Sequence, residues 1–323
     1  MKEVKLKENY LNNGVSLRNY LQACGIRAED CDSFIYAPLG KDELSPLLLK
    51  NMEYAVHKAY DMLSDENTIV FVQVDSDMDG WTSASELIQY INIRFPKIKL
   101  TWRLHSGKQH GVVLDTVPED ANLIFIPDAG SNQVEELTKL SGMGKTVIVL
   151  DHHKIEDEEG SFNSGAIIVN NQASDDFSNK WLSGAGVVYK FIQQMDDSFF
   201  MDDVAGQFVD LAAIGIIADA MDMRTLDNNF IAYEGLNNIR NELVKAVIAK
   251  QAGEGMYARI QNVNAPTKTE VAFYVAPVFN GLIRYGEQEE KEQVFKAFIT
   301  RNSIEKIETE YRGVKRVESL YDY

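Results

Sequence analysis

Val74-Asp75-Ser76-Asp77-Met78-Asp79-Gly80-Trp81-Thr82-Ser83 decides the fold. The preceding run Thr68–Val72 is apolar and β-branched, as expected for a buried parallel strand. The following run Ser83–Ile91 puts Leu87, Ile88 and Ile91 on one helical face. Three carboxylates at alternate positions therefore sit where a strand ends and a helix begins. In open α/β sheets that edge is where ligands bind. Negative charge so concentrated is costly unless cations neutralise it. Asp75, Asp77, Asp79, Gly80 and Glu86 also fit the calcium-loop pattern D-x-D-x-D-G-x5-E. An EF-hand needs a helix before that loop, whereas the residues here are strand formers. The pattern points to metal without the EF-hand.

The whole chain bounds what such a turn serves. Its 323 residues suggest about two domains, with an ordinary globular composition of 45% hydrophobic and 25% charged residues. No apolar run approaches the roughly 20 residues that span a bilayer, and the first residues lack the apolar segment of a signal peptide. Cys24 and Cys31 form no disulfide framework, so the expected setting is a reducing cytoplasm with no membrane role. A formal net charge of −17 argues against a broad electropositive surface for duplex binding.

Taken in order, residues 1–33 form a poorly defined extension with a helix around Ser16–Ala23. A helix is expected over Leu44–Leu63 and a strand over Lys97–Leu104. His105–Gly111 then reads as a polar loop whose two histidines, five positions apart, are solvated. Ala121–Pro127 is a second buried strand running into Asp128, followed by a helix Val134–Leu140 capped by Ser131 or Asn132. Thr146–Leu150 is a third, ending in Asp151-His152-His153, and Ala166–Val169 a fourth. One Asp at a strand end commonly caps a helix. Three strands ending in acids on one edge of a parallel sheet point instead to a shared site. Aspartate together with histidine suits manganese or zinc better than magnesium.

Ser183-Gly184-Ala185-Gly186 opens a helix Val187–Met195. Such a turn either receives a phosphate on free backbone N–H groups or lets the helix pack closely on the sheet. The apolar helix Val209–Ala220 carries Asp210, a possible helix-start residue, and Asp219, a fourth metal-ligand candidate. Helices follow over Phe230–Ile239 and Glu242–Ala249. Residues 1–240 thus form an α/β domain, a parallel sheet with helices on both faces, and 241–323 a mainly helical segment. In that segment Val271–Leu282 is apolar, Gln288–Arg301 is an amphipathic helix with Val294, Phe295 and Phe298 inward, and Ile304–Tyr323 is expected as a long exposed or linker helix.

Assembled, these residues resemble the DHH-superfamily phosphoesterases, in particular the RecJ branch of single-strand exonucleases, over residues 33–300. Asp75 through Ser83 is similar to the first motif, D-x-D-x-D-G-x-T-S. Asp128-Ala129-Gly130 is similar to D-N-G, Asp151-His152-His153 is the eponymous third, and Trp181 through Val187 is similar to L-A-G-x-G-V. Asp210–Asp219 resembles D-L-x-A-L-G-x-x-A-D, and Asn280 through Arg284 resembles N-A-A-G-R. The resemblance implies two metal ions, usually manganese with magnesium also accepted, held by Asp75, Asp77, Asp79, Asp128, His152 and Asp219, with Asp128 as the bridge. It implies catalytic roles for Asp128, His152 and His153, and substrate contacts from His153, Ser183, Gly184 and Arg284.

The activity implied is hydrolysis of single-stranded DNA from the 5′ end to 5′-mononucleotides. Alternatives are hydrolysis of short oligoribonucleotides or cyclic dinucleotides, or a non-catalytic assembly role on the same fold. Gln73 stands where other DHH branches carry a histidine, and His105–Gly111 stands where RecJ proteins carry an Arg and G-Y-G. Nothing resembles the family's glycine- and histidine-rich C-terminal domain, so the alternatives are a stand-alone core, a piece of a longer protein whose further domain completes the substrate groove, or a subunit whose protein partner does.

Overall fold

The computed structural model describes residues 16–36, 38–107, 109–253, 259–300, 306–311 and 314–319. Two short helices, α1 (Leu17–Ala23) and α2 (Cys31–Ile35), precede α3 (Met52–Leu63). The longer helix expected from Leu44 does not form. Pro46–Leu48 makes a 3₁₀ turn and Asn51 adopts a left-handed conformation at φ 65°, so regular helix begins only at Met52.

Then follow β1 (Ile69–Val74), α4 (Met78–Arg94), β2 (Lys99–Leu104), β3 (Leu123–Pro127), α5 (Val134–Gly142), β4 (Thr146–Asp151), α6 (Glu158–Asn163) and β5 (Ile167–Asn170). The five strands form one sheet in the order β2-β1-β3-β4-β5, every pair parallel. Alternate residues divide between its faces. Val70, Val72, Leu123, Phe125, Ile148 and Leu150 belong to one hydrophobic core with α3 and α4, while Phe71, Ile124, Ile126, Val147 and Val149 belong to a second with Leu137 and Leu140 of α5. Burial on both faces explains the near-continuous apolar strands. The order changes direction between β1 and β3, and such a switch point opens a crevice at the carboxyl ends of those strands.

Three helices complete the α/β unit: α7 (Gly184–Phe199), α8 (Val209–Ala218) and α9 (Leu226–Asn237). After α10 (Glu242–Ala252) come a helical turn at Lys268–Glu270, a π-helical turn at Val271–Val275, α11 (Ala276–Tyr285) and α12 (Gln288–Ile299). These last helices lean on α4. Trp81 meets the rings of Phe295 and Phe298 edge-on at 5.2 and 6.0 Å. The Phe298 carbonyl accepts hydrogen bonds from Ser85 Oγ, Gln89 Nε2 and Asn241 Nδ2.

The tail departs from expectation. Lys306–Tyr311 (β6) and Val314–Ser319 (β7) pair as an antiparallel hairpin, with Glu310 opposite Lys315. Ile307, Thr309 and Tyr311 alternate with Lys306, Glu308 and Glu310, a period of two that suits a strand and leaves a helix no continuous face. Arg301 at the expected end of α12, together with residues 1–15, 304–305 and 320–323, lies outside the described residues. No helix among the described residues is long and apolar enough to cross a membrane.

Candidate metal centre

The parallel register brings the strand-end acids together. The carboxylates of Asp75, Asp77 and Asp128 offer oxygens within 4.8 Å of one another, and so do ligand atoms of Asp79, His152 and Asp219. A third group, Asp128, His152 and His153, joins the two. Helix α4 starts inside the would-be calcium loop, at Met78, and Glu86 lies buried eight residues into it, which excludes the EF-hand geometry.

Each ligand candidate is fixed by local backbone chemistry. Asp77 is extended at φ −147° and caps α4, its carboxylate accepting the Gly80 N–H at 3.0 Å. Asp79 sits in the first turn of α4 and accepts three bonds from the start of α7: Ser183 Oγ–H at 2.9 Å, Gly184 N–H at 2.8 Å and Ala185 N–H at 3.1 Å. Asp128 is held at φ +63°, a left-handed conformation that aspartate tolerates better than most residues. Gly184 must be glycine, because a Cβ there would lie 2.2 Å from Asp128 Oδ1. Asp219 closes α8 as its C-terminal cap residue.

His152 lies at the centre. Its Nε2 is 3.2 Å from Asp128 Oδ1, 3.6 Å from Asp219 Oδ2 and 3.8 Å from Asp79 Oδ2. The approach to Asp128 lacks hydrogen-bond alignment, and Asp128 Oδ1 is buried with no partner. One imidazole nitrogen surrounded by three carboxylate oxygens, one of them orphaned, is a donor set that fits a divalent cation.

The electrostatics agree. Burial pushes the Asp128 carboxyl well above the usual range, and the charges of Asp79, Asp77 and Asp75 push it further. Burial followed by Asp79 and Asp77 lifts Asp219 to about 7. Burial also raises Asp79, and the nearby His152 opposes it in part. Groups that hold one another's protons on in this way release them when a cation enters. Asp151 behaves differently. Burial would raise it, but the hydrogen bond and charge of His153, the charge of His152 and a backbone N–H outweigh that and hold it at about 2. In return the hydrogen bond to Asp151 lifts His153 to about 9 against the opposing effect of burial.

Three features escaped the sequence. The loop histidines are not both solvated. His105 is buried, with Nε2 3.8 Å from Asp75 Oδ1, while His110 Nδ1 bonds Asp75 Oδ2 at 2.8 Å and the Gly111 N–H bonds Oδ1 at 3.1 Å. Burial and the His110 charge lower His105 to about 4. Ser183 and Gly184 are not free phosphate donors either, because Asp79 occupies them; they position that carboxylate. Ser131 and Asn132 do not cap α5, which is preceded by Gln133 without a side-chain cap. Ser131 Oγ accepts from Asn170, and the Asn132 amide bridges Lys154 and Glu156. Arg284 is exposed on α11 and belongs to none of the three groups. It is tied to them through Asn280, one turn earlier, whose Oδ1 accepts the Met78 N–H at 3.1 Å.

A five-stranded parallel sheet with acids at its switch point sets the class: residues 67–216 match the family model described as "DHH family, N-terminal domain", and that stretch is a domain of this family. Over 271 residues it is 41% identical to the putative SPbeta prophage-derived single-strand DNA-specific exonuclease YorK of Bacillus subtilis (strain 168), which covers 84% of this chain and 44% of that protein. Over 250 residues it is 26% identical to the single-stranded-DNA-specific exonuclease RecJ of the same organism, covering 75% of this chain and 30% of that protein. The crystal structure of an exonuclease RecJ bound to manganese superposes with a TM-score of 0.66 at 24% identity, covering 80% of this chain and 64% of that one, which shows a shared fold. The chain spans less than half the length of the two curated relatives.

Proposed function

We propose that this chain is a metal-dependent phosphodiesterase acting as a 5′–3′ exonuclease on single-stranded DNA and releasing 5′-mononucleotides. Residues 1–240 would form its catalytic domain and 241–323 a connector and C-terminal segment. The supporting observation is His152 Nε2 among three carboxylate oxygens with Asp128 Oδ1 unpartnered. The relatives named above as single-strand DNA-specific exonucleases support the substrate class.

Asp75, Asp77, Asp79, Asp128, His152 and Asp219 would hold two manganese ions, or magnesium in their place. Such ions activate water and stabilise charge on a phosphoryl group in an in-line displacement. The chain's residues divide the remaining work. Asp128, the one carboxylate common to two of the ligand groups, would be the bridge. Ser183 and Gly184 hold Asp79 in place. Asp151 fixes His153 by Nδ1 and leaves its other nitrogen for the phosphate or its proton. Arg284 offers a guanidinium to a neighbouring phosphate. A further domain or a protein partner completes the groove, and the expected setting is the cytoplasm, consistent with the two free cysteines.

The charge of −17 favours a second reading, in which the same chemistry serves short oligonucleotides or cyclic dinucleotides. Manganese-dependent release of label from a long single strand, 5′-labelled or 3′-labelled, separates the two. Early mononucleotide release from the 5′ label alone, lost in Asp128→Asn, is the expected result. Cleavage of a dinucleotide with the long strand intact moves the function to small substrates. No cleavage of either overturns hydrolysis by this chain alone.

A further inference from the structure

The segment carrying Arg284 turns a distinctive face outward. Residues 271–286 contain no Asp or Glu, in a chain that has 49 of them. Val271, Val275, Ala276, Phe279 and Ile283 are buried, so the inward face is committed to the core. The outward face carries three exposed pairs, Phe273 and Tyr274, Pro277 and Val278, and, two turns further on, Arg284 and Tyr285. Phe273 is 70% exposed and Tyr285 86%. Rings this exposed stabilise nothing in the fold, and an apolar face in this position marks a binding surface.

Three observations select its occupant. The stripe pairs flat aromatic rings with a guanidinium, which forms no ion pair among the described residues; rings stack on bases and Arg binds phosphate. A polyanion is repelled by most of a chain of charge −17, whereas the stretch between Glu270 and Glu287 carries no acid. The helix that carries the stripe is also anchored at the metal centre, because Asn280 Oδ1 accepts the N–H of Met78, which lies between Asp77 and Asp79. We propose that the outward face of Val271–Tyr285 is a base-stacking platform for a single nucleic-acid strand whose scissile phosphate lies at the metal centre. The proposal rests on the nuclease reading above and deepens it. Unpaired bases expose the faces that stack, whereas a duplex hides them, so the platform selects single strands.

The test uses the whole chain in manganese and uncleavable phosphorothioate thymidine strands, one about 20 nucleotides long and one a dimer, titrated by calorimetry. Tyr285→Ala and Phe273→Ala are each expected to weaken the long strand roughly tenfold, the scale of one lost stacked base, and the dimer by less than about twofold. Tyr285→Phe keeps the affinity, and Tyr285→Leu loses it as Ala does. Equal affinity in Leu and Tyr forms, with loss of self-association in the Ala form, would show a protein-docking face and overturn the platform. Unchanged long-strand affinity in both Ala variants would overturn it as well. A wild-type chain that binds the long strand but leaves its phosphodiester counterpart intact would sink the nuclease reading while the platform stands.

Discussion

Asp75 at the end of β1 and Asp151 at the end of β4 each hold an imidazole Nδ1 at 2.8 Å, that of His110 and of His153 respectively. Both carboxylates are buried. Asp151 receives the N–H groups of Ser131, His152 and His153 besides the ring, and it stays charged down to about 2. Asp75 receives, among the described residues, only the Gly111 N–H besides its ring, and burial, followed by the charge of Asp77, raises it. Counting carboxylates would treat them alike; counting donors separates them. A carboxylate saturated by donors orients its neighbours, and one left short of donors has room for a cation.

That contrast is open to direct challenge. Asp75→Asn should reduce manganese affinity by more than the roughly 10–100-fold typical of an outer-shell change, measured by calorimetry on the folded protein. Asp151→Asn should retain bound manganese yet lower turnover by about 10–100-fold, because His153 loses its tether. If Asp151→Asn released the metal and Asp75→Asn kept it, the assignment would be reversed. His110→Ala removes one of two donors from Asp75 and should cost manganese affinity less than about tenfold.

The smallest effect is on stability against pH. Asp151 is depressed from 3.8 to about 2, so its contribution is present above 3.8 and is lost as pH falls through about 2. His153 is raised from 6.5 to about 9, so its contribution is complete below 6.5 and is lost as pH rises through about 9. In metal-free protein the melting-temperature gap between wild type and His153→Gln should be widest between those limits and close above about 9. The gap is small because the His153 ring is half exposed. A gap independent of pH would remove the ion pair from the account.

The strand-end acids were legible because buried parallel strands announce themselves and a parallel sheet puts their ends on one edge. The loop histidines were not. Val74 pairs with Leu104 across β1 and β2, so Asp75 and His105 emerge side by side. That register is invisible until the two strands are known to be neighbours. The signal available was that both strands end one residue before a titratable side chain. The role of Ser183 and Gly184 was half legible: the turn reads as a helix start, but only the tertiary packing of α7 on α4 shows that Asp79 takes its donors. In the tail, alternating charge suggested an exposed helix, whereas the period of two carried the better information.

Trp81, two residues after Asp79, takes its packing partners from Phe295 and Phe298. The helix that starts within the acidic turn is therefore completed by side chains more than two hundred positions later, a contact whose sequence separation carries a large loop-closure cost. A growing chain displays its β1 acids long before that clamp exists. The order of synthesis thus separates the two halves of one packing unit: α4 is made first, and the rings that clamp its outer side follow only with α12.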